Sequence, residues 1–184
     1  MGLFDNIGKT VANAAQAVGG NKSVDVVFGT LPDTYEQFTA LPQAQLSTPF
    51  DTAAMVVLAL CFYPQDPELS KKMYEFVSGP RQINPAEYSF IKDRFRDADY
   101  VPRSYFKGAV PSNDYKPSEP YTVTVSENPY SYQNEGYAKM FLTSGGADSP
   151  RSVQLRKGKD GKWYLWEQFI LVGIREPSSS SPWA

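Results

Sequence analysis

A chain of 184 residues can bury a hydrophobic core without disulfides or metal, and one domain is the natural expectation at this length. Hydrophobic residues make up 41% and charged residues 21%, which excludes wholesale disorder and a membrane bundle. Eighteen basic against twenty acidic residues leave a net charge of −2, so there is no electrostatic footprint for a phosphate backbone and nucleic acid is not expected as a partner.

Residue types narrow the chemistry further. There is no histidine, which removes the commonest general base, Ser-His and Cys-His nucleophile activation and the usual zinc sites. Cys61 is the only cysteine and lies in the most apolar run, where a small buried hydrophobe is expected rather than a nucleophile. That run, from Ala53 to Tyr63, is shorter than the roughly 20 residues that span a bilayer. No phosphate-loop, dinucleotide, metalloprotease or nucleophile-elbow motif is present. No catalytic residue, metal ligand or cofactor is therefore assigned. Without the charged and apolar regions of an export signal, the expected compartment is the cytoplasm.

In chain order, Leu3, Phe4, Ile7, Val11, Ala14, Ala15 and Val18 recur at spacings of three and four, so residues 1–20 are expected to form an amphipathic helix ending at Gly19-Gly20. Leu3, Phe4, Ile7 and Val11 are its candidate partner-binding residues, for docking on the body or self-association. Lys9 is its only basic side chain, which argues against an interfacial membrane helix, although a membrane anchor stays among the readings. Val24, Val26, Val27 and Phe28 predict a strand over Ser23 to Gly29, and Tyr35 and Phe38 a short helix closed by Pro42.

Three helix starts follow with one grammar: a capping side chain, a proline at the first helical position and an acid two residues after the proline or directly next to it. They are Thr48-Pro49-Phe50-Asp51, Asp66-Pro67-Glu68-Leu69 and Asn84-Pro85-Ala86-Glu87. The first opens a buried helix to Tyr63. The second is closed by Gly79-Pro80, and the third turns Tyr88, Ile91 and Phe95 inward. Asp93, Arg94, Arg96, Asp97 and Asp99 fall mostly on its solvated face, with Arg94 able to turn in toward loop carbonyls.

Tyr100 to Pro120 lacks periodicity and reads as an ordered crossover. Its aromatic residues, with Tyr121, Tyr130, Tyr132 and Tyr137, either line a groove or pack over the sheet with their hydroxyls tied to backbone. For the groove alternative the ligand-binding candidates are Asp93, Arg94, Arg103, Tyr105 and Tyr121. Four strands are then predicted: Tyr121 to Ser126, Tyr137 to Thr143, Ser152 to Lys157, and Trp163 to Ile174, the last central or bent by a bulge. Lys159-Asp160-Gly161-Lys162 is expected to be a type I′ hairpin turn. Gly145-Gly146 lies between strands and lacks phosphate-loop geometry. The tail, residues 177–184, is expected to be flexible, with Trp183 as a further partner-binding candidate.

The expected architecture is α+β, N-terminal helices on a C-terminal four-stranded antiparallel meander, with residues 21–176 as one domain. At Leu31-Pro32, Pro49 to Ala54, Asp93-Arg94-Phe95, Arg103 to Phe106 and Pro177 to Trp183 the chain resembles an uncharacterised family of bacterial domains of unknown function. That resemblance spans nearly the whole chain and implies no activity. The order of helices before a curved sheet also resembles the NTF2-like fold, which hosts both enzymes and inert binding modules. The leading reading is a non-enzymatic binding or protein-interaction module, with a small-molecule enzyme or ligand carrier holding its pocket between sheet and helices as the alternative.

Overall fold

The computed structural model describes residues 20–183. The expected helix over residues 1–20, with Leu3, Phe4, Ile7 and Val11, lies outside the described residues.

The fold is α+β, with the helices in the N-terminal half and an antiparallel sheet that takes most of its strands from the C-terminal half. Five strands pair in sequence order: β1 (Ser23–Phe28), β2 (Tyr121–Ser126), β3 (Tyr137–Leu142), β4 (Arg151–Lys157) and β5 (Trp163–Gln168). The four-stranded meander is thus one strand short of the sheet. The N-terminal strand joins it by pairing with β2 from Ser23↔Ser126 to Phe28↔Tyr121, placing Val24 opposite Val125 and Val26 opposite Val123. Such a long-range pairing leaves no local turn signal, so sequence shows the strand but not its neighbour.

Between β1 and β2 come α1 (Tyr35–Thr39), α2 (Pro49–Cys61), α3 (Pro67–Ser78) and α4 (Pro85–Phe95). Each of the three longer helices starts at proline behind a side chain that accepts a backbone N–H: Thr48 from Asp51, Asp66 from Leu69, and Asn84 from Glu87. Every residue of α2 from Thr52 to Leu60 is buried, because the sheet covers one side while α3 and short 3-10 turns at Pro42–Gln45 and Pro102–Tyr105 cover the rest. A helix apolar all round is stable only when enclosed in this way. Its few polar groups are matched: the Thr52 hydroxyl donates to the Trp163 carbonyl at 2.9 Å, and the Ser70 hydroxyl to that of Ala59 at 2.7 Å.

The crossover from Tyr100 to Pro120 packs rather than lining a groove. Tyr105, Phe106 and Tyr115 are buried, and Tyr100 stacks on Tyr115 at 5.3 Å. The Tyr105 and Tyr115 hydroxyls donate to the carbonyls of Ile170 and Arg175. Gly145 lets the β3–β4 loop approach this crossover, since a Cβ there would lie 2.0 Å from the Ala109 carbonyl oxygen.

The end of the sheet also differs from expectation. β5 stops at Gln168 rather than Ile174, and it is an edge strand, not a central one. Its bulge is present: Leu155 opposes Leu165 and Gln154 opposes Glu167, so Trp166 is the extra residue. In the β4–β5 turn only Gly161 has positive φ, and its N–H bonds the Gly158 carbonyl. Lys159 and Asp160 are therefore the centre of an ordinary turn followed by a left-handed glycine, not the type I′ pair the Asp-Gly dipeptide suggests. In the tail, Pro177 is buried and the Ser179 hydroxyl bonds the Asp114 carboxylate, whereas Trp183 is 93% exposed.

Candidate functional site

The helices cover one face of the sheet, and a largely apolar hollow opens at its β5 edge. This cleft of about 530 Å³ runs between the turn after α3, Ser78 to Arg81, and the β4–β5 hairpin from Arg156 to Trp166. Four cations line it, Arg81, Arg156, Lys157 and Lys159, against one carboxylate, Asp160, in a chain whose net charge is −2. Pro80, Tyr164 and Trp166 supply apolar surface between them.

Local structure fixes most of these groups. Arg156 opposes Tyr164 across β4 and β5, and its guanidinium lies 4.7 Å from the Trp166 ring and 5.4 Å from that of Tyr137. Lys157 lies over Trp163 at 5.7 Å. Such stacking orients the cations without neutralising them. Among the described residues, Arg156, Lys157 and Lys159 make no ion pair. Asp160 is already used: its carboxylate accepts the Tyr164 hydroxyl at 2.6 Å and the Lys162 N–H at 3.0 Å. Those bonds, the tyrosine's first, hold the Asp160 carboxyl below its ordinary range. Burial, helped by Asp160, pushes the Tyr164 phenol up to about 12. Neither group titrates near neutral pH.

Arg81 closes the opposite wall. Its guanidinium donates to Glu87 Oε2 at 2.7 Å and Oε1 at 2.9 Å, and the Tyr74 hydroxyl donates to the same carboxylate at 2.7 Å. Burial alone would raise the Glu87 carboxyl, but the Arg81 and Tyr74 hydrogen bonds outweigh it and hold the carboxyl low. Arg81 and Trp166 also border a second hollow of about 600 Å³ lined by Asn84, Glu87, Phe90 and Gln168.

The residues singled out from sequence are scattered. Asp93 and Arg94 lie on the exposed side of α4, beside a hollow shared with Leu171 to Ile174. Arg94 stays on the solvated face rather than taking the inward alternative; its guanidinium lies over the Phe90 ring at 5.0 Å. Tyr105 is in the core, and Arg103 is half-buried in the 3-10 turn beside it. Tyr121 borders a different hollow, with Gly29 to Leu31, and donates to Glu119. The cleft residues Arg156, Lys157, Lys159, Tyr164 and Trp166 had one sequence signal, the run Arg-Lys-Gly-Lys-Asp-Gly-Lys followed by Trp-Tyr-Leu-Trp.

Elsewhere the chemistry is closed. Cys61 is half-buried as a residue, but burial of its thiol pushes its pKa up to about 12. Among the described residues no cluster of acidic or cysteine side chains could hold a metal ion, and no helix is long and apolar enough to cross a membrane.

Compared with known families, residues 30–178 match the model of a domain of unknown function, DUF6935. No curated protein and no solved structure matches the chain.

Proposed function

We propose that this chain, which belongs to the DUF6935 family of domains of unknown function, is a non-enzymatic binding module whose β5-edge cleft takes a small anion carrying a flat apolar part. The observation that carries this reading is the surplus of cations, with Arg156 and Lys157 held over aromatic rings and Lys159 beside them, around the apolar surface of Tyr164 and Trp166. Guanidinium and ammonium groups would hold a carboxylate or phosphate, while the rings would hold a planar body. Clefts of a few hundred Å³ with few convergent polar groups are the usual form of small-molecule sites.

Binding is favoured over catalysis because Asp160 and Tyr164, the cleft's carboxyl and phenol, are held further from neutrality, downward and upward respectively. A general acid or base works best with a pKa near the operating pH. The half-buried Arg81–Glu87 pair serves as a rigid wall. A cytoplasmic setting fits a lone reduced thiol such as Cys61.

Native mass spectrometry of gently purified full chain tests the reading. A retained anionic small molecule, lost from an Arg156→Gln/Lys159→Gln variant of unchanged fold, is the expected result. Equal retention by the variant would place the ligand elsewhere.

A further inference from the structure

The sheet has a second face, and one hollow on it differs in kind from the cleft. On β3 the buried Ala138, Met140 and Leu142 alternate with Tyr137, Lys139 and Phe141, and alternation sends the second set to the face opposite α2. There the β2–β3 loop, with Lys139, Phe141 and Gln154, borders a hollow of about 320 Å³. Its lining is carboxamides and rings rather than charges. Asn128, Gln133, Asn134 and Gln154 supply the carboxamides, and Lys139 is the one ionic group. Among the described residues, the side chains of Gln133, Asn134 and Gln154 make no hydrogen bond, and Asn128 uses only its oxygen.

The loop that carries three of these carboxamides is fixed. The Asn128 N–H donates to the Ser131 hydroxyl at 2.9 Å, the Tyr130 N–H to the Asn128 side-chain oxygen at 2.8 Å, and the Lys139 N–H to the Ser131 carbonyl at 2.8 Å. Ser131 is buried, and Tyr132 packs its ring near Trp163 and donates its hydroxyl to Glu127. Tyr130, between the Asn128 and Ser131 anchors, is nevertheless 72% exposed. A large ring held in water by a pinned loop leaves little ordering to oppose a ligand. Tyr137 also borders the hollow, but its ring is engaged with Arg156 and Trp166 in support of the cleft, which leaves Tyr130 and Phe141 as the platforms.

We propose that this hollow binds a neutral sugar, an all-equatorial hexopyranose. A sugar hydroxyl both donates and accepts hydrogen bonds, and so does a carboxamide, whereas a carboxylate only accepts and an ammonium only donates. In an all-equatorial pyranose the hydroxyls project around the rim and C–H bonds cover both faces. Rings such as Tyr130 and Phe141 match those faces, and the carboxamides match the rim. One cation is too few for a nucleic-acid strand, which needs a positively charged groove along its backbone. A small anion finds four cations in the β5-edge cleft and Lys139 alone here.

The test follows amide shifts of the isotope-labelled full chain titrated with methyl β-glucopyranoside and with cellotriose, with glycerol as a polyol that has no ring. The expected result is saturable shifts at Asn128 to Asn134, Lys139 to Phe141 and Gln154 with both sugars and none with glycerol. Tyr130→Ala weakens binding about fivefold or more, and Tyr130→Trp restores it. The ring is exposed, so neither change disturbs the fold. Tighter binding of cellotriose would assign the site to a sugar chain and equal affinity to a single sugar unit, and both fit the proposal. No shifts, shifts centred elsewhere, an equal response to glycerol, or binding indifferent to Tyr130→Ala overturns it. Anion binding in the β5-edge cleft is measured separately, so the two readings fail independently.

Discussion

The Nε–H of Arg81 donates to the carbonyl oxygen of Leu165 across 3.0 Å, so a side chain from the turn after α3 closes a hydrogen-bonding position on the outer edge of β5. Two residues earlier, the Trp163 N–H bonds the Leu46 carbonyl and the Trp163 carbonyl accepts from Thr52. An exposed edge strand is a template for unwanted pairing, and here helix-side groups occupy it. Arg81→Ala removes the edge bond and strands the Glu87 carboxylate. Both side chains are mostly buried, so the loss is expected to be about 3 kcal/mol, read from urea unfolding at neutral pH. Arg81→Lys should recover less than half, because a point charge cannot serve Glu87 and Leu165 in the same plane. A wild-type midpoint for the alanine variant would contradict this.

Acid should dissolve the same contact. The folded Glu87 carboxyl is held below its ordinary 4.5, so its contribution to stability is full above that value and is lost as pH falls through the lower folded one. In Arg81→Ala, burial is left with only the Tyr74 bond against it. The stability gap between wild type and variant should therefore shrink as samples are taken from neutral pH down to about pH 3. A constant gap would show that Glu87 is not the partner that matters.

Alkali acts on the tyrosines. Burial first of all raises the phenols of Tyr74, Tyr105 and Tyr132 above their ordinary 10.0, and Glu87 and Glu127 add to it for Tyr74 and Tyr132. A raised phenol stabilises the fold below 10.0, and that contribution is lost as pH climbs toward the folded value. Tyrosinate absorbance should thus include a step that coincides with loss of the far-ultraviolet circular dichroism. Full ionisation with the fold intact would contradict the burial of these rings.

Gly79 ends α3 at φ +57° and ψ −129°, a backbone region open essentially to glycine alone. A Cβ there would also lie 2.2 Å from the Tyr164 ring. Gly79→Ala is expected to cost about 3 kcal/mol and to push Tyr164 into the cleft. Combining it with Tyr164→Ala should return the steric part only. Full rescue in the double variant would mean that the backbone carries no strain.

Much of the fold was legible because its signals are local. Thr48-Pro49, Asp66-Pro67 and Asn84-Pro85 announce their helices within four residues, and the alternation of Tyr137 to Leu142 and of Ser152 to Lys157 announces strands. What stayed hidden depends on distant partners. The pairing of β1 with β2 joins residues about a hundred positions apart, and β5 stops at Gln168, two residues past the bulge at Trp166, although the apolar run continues through Val172. The candidate site was the least visible part. The chain from Arg156 to Trp166 shows cations and aromatics, but the turn that makes them one wall of a cleft arrives from Ser78 to Arg81. Tyr105 illustrates the reverse error of scale: a tyrosine in a loop offers the same letters whether it lines a groove or, as here, spends its hydroxyl on the Ile170 carbonyl.

The most direct test of the central claim is a titration of the isotope-labelled full chain with phenyl phosphate, followed by amide shifts, with inorganic phosphate and phenol as the separated halves. The account predicts saturable shifts confined to Ser78 to Arg81 and Arg156 to Trp166, stronger for phenyl phosphate than for either half and abolished by Arg156→Gln/Lys159→Gln. Shifts centred elsewhere, or shifts in the cleft indifferent to that substitution, would contradict an anion site at the β5 edge.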